Sequence, residues 1–273
     1  MRILILGSRG YLGSYLKNYL KKHKNLKILN DFYKNKRIDL NYLKNLRRLV
    51  LSKKPNLIIN CSGITDIENC ENNKKLSKRI NVTLIKNIFL LKKKYNLNFQ
   101  LIHFSTDQLY NNKNKMMNKE NASPFLKNTY SRQKYESEKI CKKNKGLVFR
   151  INLIGRSNSK KISFTDWIFS SFINKKIIYG FIDSIYSPIS LSSISKIIYK
   201  LILKKISDKY GVYNLGSRGS ITKYNFIIKF ADILNHKFKK RLIKSNINSI
   251  CKTTRSKNNH MNTNKFQKDF NIK

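Results

Sequence analysis

Apolar residues fall into two rhythms along this chain. Short, nearly unbroken runs at 2–6, 56–60, 99–104 and 147–151 are rich in Ile, Leu, Val and Phe, as buried strands are. A weaker run at 26–29 reads the same way. Between them apolar residues recur at helical spacing. Tyr15, Leu16, Tyr19 and Leu20 do so with lysines interleaved, and the stretches 41–53, 81–94 and 130–142 repeat the pattern. Strand and helix therefore alternate through residue 150. That predicts an α/β protein: a doubly wound parallel sheet, Rossmann-like, covered by helices on both faces. Beyond it the rhythm loosens, with helices expected at 164–172, 194–203 and 223–234 and one strand at 212–215. The expected division is a nucleotide-binding domain over 1–155 and a smaller C-terminal substrate-binding lobe over 156–273, with about 181–216 returning to the sheet. The polar stretch 111–128 reads as a surface loop. The tail from Lys252 is polar, but Met261 and Phe266 predict that it packs back.

In such sheets ligands meet the carboxyl ends of the strands. Gly7-Ser8-Arg9-Gly10-Tyr11-Leu12-Gly13 lies at the first such end, between strand and helix. Its glycines allow a tight turn, close backbone approach to a ligand and close helix–strand packing. The unpaired N–H groups of the new helix favour an anion such as a pyrophosphate. The spacing is G-x-x-G-x-x-G rather than the commoner G-x-G-x-x-G. Asp31 follows the second strand, about twenty residues past the glycines, where an acidic side chain can hold an adenosine ribose. An ordinary turn residue is the competing reading. The segments 60–65 and Ser105-Thr106-Asp107 also follow strands.

Charge changes this picture little. The chain has 58 Lys+Arg against 14 Asp+Glu, a net +44. An excess of that size suits nucleic acid or an anionic membrane. Here it is mostly lysine, spread along the whole chain, with asparagine and isoleucine abundant beside it, as compositional drift predicts. No specific nucleic-acid partner and no membrane partner are therefore expected. No apolar run nears the length of a membrane span, and the N-terminal run reads as no secretory signal. Cys61, Cys70, Cys141 and Cys251 show no metal-ligand spacing, so no metal is expected and a reduced, cytoplasmic chain is the simplest reading.

Tyr130-Ser131-Arg132-Gln133-Lys134 carries the second candidate chemistry. Residues four apart share a helix face. A lysine ammonium there is expected to lower the tyrosine's pKa and make its phenol a usable general acid or base.

Together these motifs resemble an extended short-chain dehydrogenase/reductase, and within that group the dTDP-4-dehydrorhamnose reductase family. The resemblance runs over nearly the whole chain. Residues 3–13 match the N-terminal fingerprint, 55–63 resemble P-D-x-x-I-N-x-A-A, and 65–71 resemble T-x-V-D-x-x-E. His103 to Tyr110 resembles H-x-S-T-D-Y-V-F, Tyr130 and Lys134 fit Y-x-x-x-K, Tyr186-Ser187-Pro188 resembles the segment leading back to the last strands, and Arg255 to Asn258 resembles R-P-x-N. The resemblance implies NADPH or NADH held by Gly7, Arg9, Gly10, Tyr11, Leu12 and Gly13. Asp31, Asp39, Leu40, Cys61, Ser62 and Gly63 would lie around the adenosine. It implies reduction of a 4-keto nucleotide sugar, with Tyr130 as acid, Thr106 on the carbonyl oxygen and Lys134 on the nicotinamide ribose. Asp107, Asn152 and Arg255 would join Thr106 in binding substrate. Arg9 favours the 2′-phosphate of NADPH, whereas Asp31 would repel it. The family's R-T-S-W-V-x-G is Arg150-Ile151-Asn152-Leu153-Ile154-Gly155 here, without its tryptophan; the only one is Trp167. The residue after Asp107 is Gln108, where the family usually has an aromatic. An epimerase of the same fold and a non-catalytic NADP-binding subunit remain open, and a homodimer is compatible with the sequence.

Overall fold

The computed structural model describes all residues except 34–35, 112–115, 158–161, 205–207, 235–240 and 273. Six parallel strands form the main sheet: β1 (Arg2–Leu6), β2 (Lys27–Asn30), β3 (Leu57–Asn60), β4 (Gln100–Thr106), β5 (Leu147–Ile151) and β6 (Gly211–Asn214). Their order is β2-β1-β3-β4-β5-β6. The chain winds one way from β1 to β2 and the other way from β3 onward, so the switch point falls between β1 and β3, whose Ile5 and Ile59 are partners. A ligand crevice is expected there.

The inner strands β1, β3, β4 and β5 bury both faces. Ile3, Ile5, Leu57 and Ile59 join one core with Leu12, Leu16 and Leu20 of the Tyr11–Leu20 helix and with the Leu191–Leu203 helix. Leu4, Leu6 and Ile58 point to the opposite core, with Leu46 and Leu49 of the Leu43–Lys53 helix and Ile85 and Ile88 of the Leu84–Lys94 helix. The unbroken apolar runs follow from this. With a period of two and helices on both faces, the central strands β3 and β5 leave no position to water.

After β5 the chain leaves the sheet. A separate small core of Ile168, Phe172, Ile178, Ile227 and Ala231 joins the helices Phe164–Ile173 and Lys223–Ile233 to a two-stranded pair, Ile178–Phe181 with Leu242–Ser245. The chain between them re-enters the main layer through the Leu191–Leu203 helix and β6. Met261 and Phe266 are buried, so the polar tail packs back.

Two element expectations need correction. The helix expected from Asn81 is interrupted: a π-helical turn occupies Arg79–Thr83 before the regular helix Leu84–Lys94 begins. The stretch 111–128 is not merely surface loop. Asn118 is fully buried and bridges to Met261, Asn118 Nδ2 bonds the His260 carbonyl, and Phe125 N bonds the Leu109 carbonyl. Residues 112–115 of that stretch lie outside the described residues.

Candidate active site

The glycine turn follows β1 directly. Gly7 has φ +73°, and a Cβ there would stand 2.8 Å from Ser62 N, so the turn lies against the chain leaving β3. A Cβ on Gly13 would come within 2.2 Å of the Gly7 carbonyl oxygen. Gly13 thus serves close packing of helix on turn. The helix starts at Tyr11 with Gly10 as its N-cap and no side chain capping it. Its first N–H groups are left for an anion.

Beside this turn lies a cleft of about 800 Å³ lined by Gly7, Arg9, Gly10, Asp39, Leu40, Cys61, Ser62 and Gly63. These segments arrive from three strand ends. Ile64, within the expected segment 60–65, also lines it, as do Ile38, Asn41, Ile80 and Leu84, which the sequence did not signal. Ile80 and Leu84 are four apart at the π-turn, a spacing that marks a shared face without saying what it meets. Tyr11, Leu12 and Gly13 do not line the cleft. Leu12 belongs to the core, and the Tyr11 hydroxyl donates to the Gly155 carbonyl at 2.8 Å.

Asp31 is corrected by its geometry. It is buried, and its carboxylate accepts from Gly7 N at 3.1 Å and from the Ser8 hydroxyl at 2.5 Å. It braces the turn, where a buried carboxylate finds the donors it needs, and it is not among the residues lining the cleft. The acidic residue that does reach the cleft is Asp39, whose Oδ1 accepts from Asn41 N at 2.9 Å.

Two strands along, β4 ends at Thr106. Its hydroxyl accepts from Gln108 N at 3.2 Å, capping the tight turn Asp107–Leu109. The Thr129–Lys143 helix delivers Tyr130 and Lys134 to the same place. Asn128 caps it through a bond from Ser131 N at 2.7 Å, and Glu71 accepts from the Thr129 hydroxyl at 2.8 Å. The buried Tyr130 phenol lies close enough to the Thr106 hydroxyl to feel it. Lys134 Nζ donates to the Phe104 carbonyl at 2.6 Å.

The expected direction of the Tyr130 shift is reversed. Burial dominates and pushes the phenol above its usual range; the Thr106 hydroxyl opposes this only in part, and Asp107 and Cys70 add to it. Burial also pulls the Lys134 ammonium down to about 8 against the favourable charge of Glu138. Desolvation of two enclosed groups thus dominates both shifts. The consequence is a tyrosine that holds its proton at neutral pH, the state an acid requires.

A buried network fixes this pair. Asn60 Nδ2 meets His103 Nδ1 at 3.1 Å, and His103 Nε2 meets the Ser137 hydroxyl at 3.1 Å. Ser137 donates to the Lys134 carbonyl at 2.7 Å. Burial keeps His103 well below its usual range; it is a neutral strut. Asn81, on the π-turn, accepts from Ile64 N at 2.9 Å and donates to Gln133 Oε1 at 2.9 Å. It ties the loop after β3 to the Tyr130 helix. Nothing in the periodicity announced it, because the apolar rhythm runs on through the bulge.

Asp107 is buried, and Asn152 donates to it at 2.6 Å. Burial lifts its carboxyl to about 6, with Asn152 and Lys223 opposing. Arg255 lies further out, 3.5 Å from Glu68. Thr106, Asp107 and Asn152 therefore stand together. Arg255 is joined to them through Lys223, which is close enough to both Asp107 and Arg255 to feel their charge.

Nucleotide cleft at the switch point and a Tyr–Lys pair at a neighbouring strand end is the division of labour of a short-chain dehydrogenase/reductase. Within that class the chain belongs to the family described as the RmlD substrate binding domain, whose model matches residues 1–273. It is 24% identical over 247 residues to a dTDP-4-dehydrorhamnose reductase of Aggregatibacter actinomycetemcomitans, covering 85% of this chain and 78% of that one. It is 19% identical over 247 residues to a probable low-salt glycan biosynthesis reductase of Haloferax volcanii, covering 86% and 80%. Among solved structures, the dTDP-4-dehydrorhamnose reductase of Bacillus anthracis in complex with NADP superimposes with a TM-score of 0.85 at 22% identity, over 98% of this chain and 92% of that one.

Proposed function

We propose that the chain reduces the 4-keto group of a nucleotide-linked deoxyhexulose with a nicotinamide cofactor. The reaction most directly indicated is dTDP-4-dehydro-L-rhamnose to dTDP-L-rhamnose, a precursor of surface polysaccharide. The observation that carries this reading is the buried Tyr130 one helical turn from Lys134, whose Nζ is held on the Phe104 carbonyl of the strand that ends in Thr106. Bound NADPH or NADH would supply the hydride, received by the carbonyl carbon of the sugar. Tyr130 gives its proton to the carbonyl oxygen, so the ketone becomes an alcohol. Thr106 donates a hydrogen bond to that oxygen as negative charge develops on it. Lys134, held on the Phe104 carbonyl, keeps a positive charge beside Tyr130 and favours the phenolate that remains.

The uncapped helix start and the cleft beside it fit a dinucleotide, its pyrophosphate on the Gly7–Gly10 turn and its adenosine against Asp39, Leu40, Cys61, Ser62 and Gly63. We assign NADPH as the preferred form. Arg9 lines the cleft with its guanidinium 5.9 Å from the Phe32 ring centre, and the Asp31 carboxylate is turned into the protein. Residues 1–155 would then be the cofactor part and 156–273 mainly the substrate lobe, with Asp107, Asn152 and Arg255 on the sugar nucleotide. No helix among the described residues is long and apolar enough to cross a membrane, and the four cysteines are free, which suits a reducing cytoplasm.

The test is a panel of 4-keto nucleotide sugars offered with NADPH and NADH, followed at the nicotinamide absorbance. The expected result is one cofactor oxidised per sugar reduced. Conversion of sugar without net oxidation would make the protein an epimerase. Cofactor binding with no conversion anywhere in the panel would remove the enzymatic reading.

A further inference from the structure

Lys223 is the first residue of the Lys223–Ile233 helix, capped by Thr222, whose hydroxyl accepts from Asn225 N at 3.0 Å. A cation is out of place there. The helix start carries partial positive charge, which disfavours an ammonium. Arg255 adds a second opposing charge, and burial lowers the ammonium further, with only Asp107 and the more weakly felt Cys251 favouring it. Among the described residues no side-chain hydrogen bond or ion pair is made by its Nζ. Two rings hold it instead: Phe164 at 5.1 Å and Tyr186 at 5.9 Å from Nζ to the ring centres. Contacts of that kind fix the position of an ammonium while leaving its N–H groups pointing elsewhere. The rings and Asp107 hold the lysine against the helix start and Arg255, and such local conflicts concentrate at functional sites.

A second observation converges on the same place. The Tyr186 hydroxyl is buried, without a hydrogen-bond partner among the described residues, and is also close enough to Asp107 to feel its charge. Two kinds of donor, an ammonium and a phenol, therefore border the Asp107 end of the site without acceptors of their own. Tyr186 pairs with Asn259, whose side-chain amide lies 3.1 Å from the Asp107 carbonyl, so both donors border the turn that follows Thr106.

We propose that Lys223 is a substrate-specificity residue that, with Tyr186, donates hydrogen bonds to oxygen substituents of the hexose ring. This rests on the nucleotide-sugar reading above and goes beyond it by naming what distinguishes the sugar. Phe164, which stacks on Trp167 with ring centres 6.0 Å apart, becomes the floor under Lys223. The hexose is then gripped by a cation and a phenol in a pocket where the resemblance had led one to look for an indole.

The test compares wild type, Lys223→Met and Lys223→Arg, each loaded with NADP⁺, by calorimetric titration with dTDP-L-rhamnose and, separately, with dTDP alone. Lys223→Met is expected to weaken dTDP-L-rhamnose about tenfold or more, the loss of a hydrogen bond from a charged group. Its affinity for dTDP and for the cofactor should change less than about twofold, and Lys223→Arg should recover part of the loss. Unchanged dTDP-L-rhamnose affinity in Lys223→Met, whatever its melting temperature, overturns the proposal. An equal loss for dTDP and dTDP-L-rhamnose overturns it too, since the lysine would then hold the diphosphate. Wild type that binds neither probe defeats the nucleotide-sugar reading itself, a result distinguishable from the other two because it appears before any substitution is made.

Discussion

At the β1–β3 end of the sheet, much of what a ligand would meet is main chain. The Gly10 cap leaves helix N–H groups open, Gly7 bends at φ +73°, and the loop after β3 closes to within a missing Cβ of the turn. At the β4–β5 end the groups are side chains from distant parts of the chain: Thr106 and Asp107 from one strand end, Tyr130 and Lys134 from a helix, Asn152, and Lys223 from the outer lobe. The two ends also differ electrically. The cleft is open, with its glycine turn and the Cys61–Gly63 segment on one side and Ile38, Leu40, Ile80 and Leu84 around them, whereas the Tyr130–Lys134 end is enclosed. There desolvation pushes Tyr130 up, Asp107 up to about 6 and Lys134 down to about 8. Backbone sites tolerate side-chain drift but fail when a glycine is lost. Side-chain sites tolerate backbone variation but fail by single functional groups.

That contrast can be broken most severely at Gly13. Gly13→Val places carbon against the Gly7 carbonyl, which is main chain and cannot swing away. The expected cost is about 3 kcal/mol or more of stability, with loss of NADPH binding, read by denaturant unfolding and fluorescence titration; a stable variant that binds NADPH normally would contradict the packing role. Tyr130→Phe should do the reverse. Turnover falls by about 10²–10⁴-fold, the usual contribution of a positioned acid, while NADPH affinity is kept. Near-normal turnover would sink the acid role. Next in size, Arg9→Ala should raise the KM for NADPH about tenfold, as loss of a charged hydrogen bond to the 2′-phosphate predicts, and leave that for NADH unchanged. Equal effects on both cofactors would count against the assignment.

The smallest effect is a pH limb. Lys134 carries its proton below about pH 8 and loses it above, because burial has lowered it from the usual lysine range. Tyr130, raised by burial, stays protonated throughout. Activity should therefore hold up to about pH 8 and fall beyond it by about tenfold per unit at most, the slope of one lost proton. Stability moves the other way. The folded state binds fewer protons at Lys134 than the unfolded chain between about pH 8 and the usual lysine value, so this group's contribution rises with pH in that window. A profile flat to pH 10 would show that the ammonium is not needed.

Much of this molecule was readable from its sequence, and the reason is local. Unbroken apolar runs dictate strands buried on both faces, the 3.6-residue rhythm dictates the helices that cover them, and glycines between the two dictate a turn that only they can make. Gly7 to Gly13, Thr106 and the Tyr130–Lys134 pair are each signalled within a few residues. Tertiary structure decided what depends on distant neighbours. Asp31 sits where a ribose-binding carboxylate is expected, but the Gly7 amide and the Ser8 hydroxyl reach it first. Tyr130 and Lys134 are spaced to help each other, yet the depth of burial, which no spacing encodes, sets both their charges. Asn81 sits in the π-turn that interrupts its helix and there bridges Ile64 and Gln133, partners far away in the chain. Lys223 was one lysine among many until the fold set it on two aromatic rings facing Asp107. Sequence fixes backbone geometry through steric and hydrophobic terms that act over a few residues; electrostatic environment is a sum over everything packed nearby, and only the folded chain performs that sum.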